Sequence, residues 1–546
     1  MKQHSTVNYL PSALSNEKED RMKSYTQIIS DKNTPQTQPL PLRTDMIKNS
    51  AGGYVFETTD ESKLERFLLL GTTGGTFYAS EKEITEEASK FLIKSIQNNG
   101  IKTLNTVDRF VTEKRILKLD TALYILALAC TYGSNELKKE AYGLISKWCA
   151  TGTHLFQFVS MVNDLRGWSA GLRKGVGAWY AGLSFDRLVY QTLKYQNRAG
   201  FTHRDVLRLA HPKAIDTRTN EYYKFLVGKD AKVDHFMFNA WQEAKKELSD
   251  DMLIYHINKG KLAWEMIPTE KLNSPKVLST LVENMPLMAL IRNLNRITYT
   301  GALDYGMTLD KVISKLSDEK TVKASGIHPI FVLSAIKTYG AGRGDKGSKT
   351  WIPNQRVLDA LHKTFDLSFT SVQNERITGV KTLIAVDVSA SMRSPASGTN
   401  MLCTEASAAM GLTNLKQIVD SEFVLFDTAL YQSNLGSRHS YDEALRAVNK
   451  GGGGTDCSLP FQYALKHKKF FDVIVIYTDS ETWAGRTHGK TLLDEYRRTV
   501  NPNCKVIEVA LQYNEFTGYP VEDTRILRTV GFDANLPEII NKFATL

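Results

Sequence analysis

At 546 residues the chain is long enough for two or more domains, each with its own core. A hydrophobic content of 42% and a charged content of 23% are those of an ordinary globular protein, and no run nears the roughly 18 uninterrupted apolar residues of a membrane span. The formal net charge of +10 leans towards a polyanionic partner.

The opening residues, MKQHSTVNYLPSALSNEKED, lack the apolar core of a signal peptide. Five scattered cysteines, Cys130, Cys149, Cys403, Cys457 and Cys504, show no CxxC spacing, which argues against a disulfide framework or a zinc site. A soluble cytoplasmic protein with no membrane partner is expected. Residues 1–45 are polar and end in TPQTQPLPLRT, whose Pro35, Pro39 and Pro41 predict an extended, mobile arm. NSAGGYVF at 49–56 and LERFLLLGTTGGTFY at 64–78 then place glycine pairs at tight turns between short apolar segments.

From about 80 to 340 the pattern predicts a succession of amphipathic helices. Ser80 and Glu83 form a capping-box pattern ahead of Ile84, Ala88, Phe91, Leu92 and Ile96 on one face. Ser134 caps a second helix with Leu137, Ala141, Leu144, Ile145 and Trp148 in phase. Strand signals are nearly absent, and the rhythm of helix pairs resembles a HEAT-like solenoid, in which each pair buries its face against the next.

Basic charge concentrates within these helices. Between Arg166 and Ala214 nine Lys or Arg stand against two acids, Asp186 and Asp205. The spacing predicts that Arg187, Gln191, Lys194 and Arg198 share one helical face, opposite Phe185, Leu188, Val189 and Leu193. Thr202 and Asp205 read as the start of the next helix, where Arg204, Arg208 and His211 again share a face. Two adjacent helices would present a joined cationic strip interleaved with Trp168, Trp179, Tyr180, Tyr195 and Phe201, suited to phosphate contacts and base stacking. The competing reading is a solvated face over core aromatics.

A change near 365–380 from helical period to alternating strand, loop and helix marks a second domain. Thr382–Val386 reads as a strand buried on both faces of a parallel sheet, which places Asp387 at its carboxyl end, where open α/β sheets bind ligands. Asp387, Ser389 and Ser391 then offer three hard oxygens in the loop that follows, suited to Mg²⁺ or Mn²⁺. The flexible GGGGT at 451–455 can bring the Thr455 hydroxyl close to an ion, and Phe471–Asp479 is a second buried strand ending in acid. Together Asp387, Ser389, Ser391, Thr455 and Asp479 resemble the metal-ion-dependent adhesion site of a von Willebrand factor A domain. That resemblance implies serine and threonine hydroxyls close to one ion and aspartates acting largely through water.

The whole chain resembles the Ro ribonucleoprotein autoantigen family, whose members join a ring of HEAT-like helices, the TROVE module, to a von Willebrand A domain. The resemblance rests on NSAGGYVF, RFLLLGTTGGTFY at 66–78, KYQNRAGFTHRDVLRLAH at 194–211, MPLMALIRNL at 285–294, IHPIFVLSA at 327–335, AVDVSASM, GGGTDCSLP and YTDSETWAG. It implies an all-α ring over 46–370 followed by a doubly wound α/β domain over 371–546. It further implies small noncoding Y-type RNA on the outer basic surface, with Lys194, Arg198 and His211 as contacts, and single-stranded ends of misfolded RNA in the central hole. Arg187, Arg204 and Arg208 join that set from the helical-face argument. Bacterial members also work with a 3′ exonuclease, polynucleotide phosphorylase. The expected protein is not an enzyme. A metal-dependent phosphohydrolase or nuclease using Asp387 and Asp479 would want a second acid where Ser389 stands, or a denser acid cluster for two metals. A stand-alone adhesion or chelatase-like module would leave the basic helices unexplained.

Overall fold

A computed structural model describes residues 30–71, 81–116, 118–246, 249–344, 348–368, 377–396, 400–449, 451–531, 539–540 and 542–543, with the backbone alone at 81–84. Helices begin where a side-chain oxygen can take up a free N–H of the first turn. Thr59 caps Asp60–Leu70, Thr151 caps Gly152–Leu165, Ser169 caps Ala170–Ala181 and Ser184 caps Phe185–Lys194. At the expected cap, Ser134 Oγ accepts from the Leu137 N–H at 3.2 Å, and Leu137, Ala141, Ile145 and Trp148 are buried. The Ser80–Glu83 capping box and the Gly74–Gly75 turn lie outside the described residues. Beyond them Ala88, Leu92 and Ile96 are buried along Glu81–Thr112.

Successive helices stack in the manner of a solenoid. Asp120–Tyr132 packs on Gly152–Leu165, Asn135–Trp148 on Ala170–Ala181, and Ala170–Ala181 on His203–Ala210, so each of these helices meets the second one after it. The apolar stripes merge into one continuous core. All five cysteines are free and buried within the two domains.

The second domain is built on a six-stranded sheet. Numbering all strands in chain order, β1 is Met46–Lys48, β2 Tyr54–Glu57, β3 Asn197–Arg198, β4 Phe201–Thr202, β5 Thr382–Asp387, β6 Ser421–Phe426, β7 Leu430–Gln432, β8 Val473–Thr478, β9 Lys505–Ala510, β10 Phe516–Thr517 and β11 Ile526–Val530. The large sheet runs β11-β9-β8-β5-β6-β7, parallel except for β7. β5 and β8 are neighbours, every residue of both is buried, and their carboxyl ends lie side by side. The strand order reverses direction at β5, and that places the crevice of a doubly wound sheet above Asp387.

The amino-terminal segment differs from the expected mobile arm. Residues 1–29 lie outside the described residues, but 30–45 are fixed against the sheet domain: Gln36 is fully buried, and Lys32 pairs with Glu495 at 2.6 Å. β1 and β2 then pair with each other, and β2 with β10 of the second domain. The first helix after them, Asp60–Leu70, stays on the same domain through Lys63 Nζ to Glu515 at 2.9 Å and Arg66 Nη1 to the Phe516 carbonyl at 2.6 Å. At the far end of the array, Lys337 Nζ reaches Glu405 at 2.7 Å and Ser334 Oγ reaches Asn400 at 2.6 Å. Both ends of the helical array therefore sit on the sheet domain, which closes the array into a ring. No helix among the described residues is long and apolar enough to cross a membrane.

Candidate ion site and cationic surface

Three loops meet at the carboxyl ends of β5 and β8. Asp387 Oδ1 accepts from the Ser389 N–H at 2.9 Å and Oδ2 from the Thr478 hydroxyl at 2.7 Å, which fixes the carboxylate. The hydroxyls of Ser389 and Ser391 lie 3.1 Å apart. The glycine loop is tied to this turn by the Ala390 N–H donating to the Gly453 carbonyl at 2.9 Å. It is tied to the loop after Asp479 by Trp483 and Ala484 N–H groups, each 3.0 Å from the Thr455 carbonyl. At Gly451 a side chain is impossible, since a Cβ would lie 2.4 Å from the Val388 carbonyl.

The result is a small buried chamber of oxygens. Asp387, Ser389, Ser391, Thr455 and Asp479 are each no more than 1% exposed. Thr455 Oγ1 and Asp479 Oδ2 have no hydrogen-bond partner among the described residues. Burial, and then the neighbouring Asp479, raise the Asp387 carboxyl above its ordinary range, and burial raises Asp479 too. Orphaned buried oxygens of this kind call for a missing partner, and three hydroxyls with two carboxylates fit a hard divalent ion better than a soft one. Among the described residues no group of three or more His, Cys, Asp or Glu could hold a metal. An ion here would depend on the hydroxyls.

Asp427 was not singled out from the sequence. It follows β6 directly, and its Oδ2 accepts from the N–H groups of Gly452 at 3.2 Å and Gly453 at 3.1 Å, which sets the height of the glycine loop. The signal was available, since FVLFD is a third apolar run ending in acid.

The basic region of the ring departs from the expected helical face. The helix Phe185–Lys194 stops at Tyr195 (φ −110°, ψ 73°), and the chain enters the β3–β4 hairpin, in which Ala199 and Gly200 both have positive φ. Arg198 therefore sits on a strand and not on the helix. Gln191 is buried instead of exposed, and its Oε1 accepts from the Gly152 N–H at 2.9 Å. Lys194 is also drawn inwards: its side chain is 8% exposed, its Nζ donates to the Tyr190 hydroxyl at 3.1 Å, and Glu265 lies 3.6 Å away.

Arg187, Arg198, Arg204, Arg208 and His211 are exposed, and none forms an ion pair among the described residues. The two nearby acids are occupied: Asp205 accepts from the Thr202 backbone and hydroxyl as the expected capping box, and Asp186 lies 3.1 Å from His235 Nε2. Arg208 Nη2 donates to the Val227 carbonyl at 3.1 Å, and Arg204 borders Gly228, so the cationic surface continues to the exposed Lys229. Lys229 escaped the sequence reading because only the fold brings that turn beside Arg204. Trp179 and Tyr180 are core, while Trp168, Tyr195 and Phe201 are half-buried. His203, inside the same motif, is core as well: its Nδ1 lies 2.8 Å from the Tyr180 hydroxyl, and burial depresses its pKa to about 3.

With this geometry in place, comparison with known proteins gives a consistent result. The TROVE domain profile matches residues 47–257 and 256–339, and the profile described as the Ro60 vWA domain matches 381–544. A Caenorhabditis elegans protein named RNA-binding protein RO60 is 31% identical over 582 aligned residues, which cover 91% of this chain and 90% of that protein. A Deinococcus radiodurans protein of the same name is 33% identical over 533 residues, with 96% and 99% covered. The crystal structure of the D. radiodurans RO (RSR) protein matches with a TM-score of 0.69 at 32% identity, over 89% of this chain and 99% of that one. With both domains matched in order along most of its length, the chain belongs to the Ro60 family, a TROVE domain followed by a von Willebrand factor A domain.

Proposed function

We propose that this protein binds RNA through the exposed cationic surface of its helical ring and performs no catalysis of its own. The observation that carries the reading is a set of guanidiniums, on Arg187, Arg198, Arg204 and Arg208, left exposed and without carboxylate partners among the described residues. Unpaired surface cations draw a phosphate backbone by releasing its counterions, and the geometry of a guanidinium suits phosphate oxygens. Small structured RNAs of the Y type are the proposed outer ligand, with His211 at the end of the strip. Lys194, held beneath it by Tyr190 and Glu265, contributes field more than direct contact.

Single-stranded ends of misfolded RNA are the proposed occupants of the ring's centre, since a duplex is wider than a single strand. A role in RNA quality control in the cytoplasm follows, with a 3′ exonuclease such as polynucleotide phosphorylase as the proposed partner. Ser389, Ser391 and Thr455 would hold one Mg²⁺ or Mn²⁺ through their hydroxyls, with Asp387 and Asp479 mainly acting through water. A bound ion supplies the positive charge that the two buried carboxylates lack.

Crosslinking RNA to the protein in cells and sequencing what is recovered tests the first reading; recovery no better than that of an unrelated basic protein would sink it. Purified protein should show no nuclease or phosphatase turnover with Mg²⁺ or Mn²⁺. Cleavage that disappears in Asp479→Ala would favour the hydrolase reading instead.

A further inference from the structure

The amino-terminal segment makes contacts that its polar, proline-rich sequence does not announce. Gln36 is fully buried, and every hydrogen bond of its side chain goes to one of two loops more than 400 residues away. Its Nε2 donates to Asp456 Oδ1 at 2.8 Å and to the Thr487 carbonyl at 3.0 Å, while its Oε1 accepts from the Thr482 hydroxyl. Its backbone N–H donates to the Gly485 carbonyl at 3.0 Å, and its carbonyl accepts from the Tyr54 N–H at 2.7 Å. Asp456 directly follows Thr455, and Thr482 is three residues beyond Asp479.

A second contact anchors the loop after Asp479 alone. Asn49 Nδ2 donates to the Thr482 carbonyl at 3.0 Å, its Oδ1 accepts from the Gly53 N–H at 2.7 Å, and the Ala51 N–H donates to Glu481 Oε2 at 3.0 Å. The approach is close enough that a Cβ on Gly53 would lie 1.9 Å from the Thr482 carbonyl. The loops that carry Thr455 and Asp479 are thus bridged by Gln36 and the second of them is anchored by Asn49 and Ala51, beside Thr455 Oγ1 and Asp479 Oδ2, which have no hydrogen-bond partner among the described residues.

We propose that Gln36 and Asn49 are positioning residues for a divalent-cation site, Gln36 holding the Thr455 and Asp479 loops at the separation the ion requires and Asn49 fixing the Asp479 loop. The inference rests on the ion reading above and deepens it. A ligand held by loops has no rigid element of its own, and outer partners that fix such ligands are commonly worth 10- to 100-fold in metal affinity. The glutamine amide suits the task because it offers two donor hydrogens and an acceptor oxygen at once; neither alanine nor an ionised glutamate can do so. The same segment runs directly into Asp60–Leu70, the first helix of the ring.

The test uses the full-length protein with Mn²⁺ alone as probe, its binding followed by electron paramagnetic resonance. Gln36→Ala should weaken Mn²⁺ binding about tenfold or more, leave affinity for a small structured RNA unchanged, and speed amide exchange at 453–458 and 481–487 in chelator. Should that variant fail to fold, Gly485→Ala probes the same bond from the other side, because its Cβ would sit 2.3 Å from Gln36 Nε2 and 2.4 Å from Asp456 Oδ1. The expected result is again weaker Mn²⁺ binding. A wild type that binds Mn²⁺, with folded variants that bind it equally well, overturns this inference alone. A wild type that binds no Mn²⁺ overturns the ion reading and this inference with it.

Discussion

The ring and the sheet domain treat their polar groups in opposite ways. On the ring, Arg187, Arg198, Arg204 and Arg208 stand in solvent without carboxylate partners among the described residues, so their field reaches outwards and is screened by salt within about a Debye length of ~8 Å. In the sheet domain, Asp387 and Asp479 are sealed from solvent, with oxygens beside them that have no partner among the described residues, so any interaction of theirs is confined to contact range. Exposed charge gives breadth of recognition, and buried charge gives selectivity for one small partner. The RNA and ion readings proposed above therefore have different physical readouts and can be tested apart.

The sharpest way to break that separation is Asp387→Ala. Divalent-ion binding should be lost outright, because the side chain that orients the Ser389 turn is gone. RNA affinity should stay within about twofold, since the cationic surface lies on the other domain and changes in outer charge fall off over a Debye length. Mn²⁺ titration alongside RNA filter binding decides it. Equal loss of both in a folded variant would mean that the two regions act as one.

Acid should strike the ring through its buried histidines. Burial depresses both His203 and His328 to about 3. Between that value and the unfolded value of about 6.5 the unfolded chain binds more protons than the native one, so stability is complete above pH 6.5 and is lost as pH falls. At pH 5 the loss amounts to about 2 kcal/mol for each histidine. Urea unfolding at pH 7 and pH 5 measures the sum. His203→Asn should start less stable, for want of the Tyr180 contact and the packing on Phe156, and should show a shallower pH dependence. An unchanged dependence would remove His203 from the account.

What the sequence disclosed follows the same division. Asp387 and Asp479 were legible because a buried parallel strand is a short apolar run, and its carboxyl end is fixed by where that run stops. The ring was legible as a stack of helices wherever caps and stripes were strong, as at Ser134. Its surface was less so, because a face drawn from i, i+4, i+7 and i+11 assumes that the helix continues. The helix at Phe185–Lys194 stops short of Arg198, and Gln191 faces inwards to cap the Gly152 N–H. The positions of Gln36 and Asn49 were illegible for another reason: a brace across more than 400 residues leaves no periodic trace.

A finer comparison lies within the strip. Arg198 is exposed and forms no ion pair among the described residues, whereas the Lys194 side chain is 8% exposed and faces Glu265. Arg198→Ala should weaken binding of a small structured RNA and flatten the slope of log affinity against log salt by up to roughly one unit, the value for one lost phosphate contact. Lys194→Ala should flatten the slope less and cost more in folding stability, because it leaves Glu265 without its partner. Salt titrations of the two single variants, read against their urea midpoints, would reverse this order if Lys194 were the direct contact.

The smallest effect should come from the turn that places Arg198. Ala199 (φ 49°) and Gly200 (φ 78°) form a two-residue hairpin loop between Arg198 and Phe201, with both central residues in the left-handed region. Tight hairpins require that twist, and asparagine followed by glycine meets it with less strain than alanine followed by glycine. Ala199→Asn should therefore stabilise the hairpin by about 0.5–1 kcal/mol without altering any charge. Because it holds Arg198 more firmly in place, RNA affinity should rise slightly, at most a few-fold, while the salt slope stays at the wild-type value. That pairing of outcomes separates geometry from charge: the slope counts phosphates neutralised, and the intercept records how well the neutralising groups are held. A steeper slope in Ala199→Asn would show that the turn recruits a further phosphate contact, and the strip would then have to be redrawn around the hairpin instead of across it.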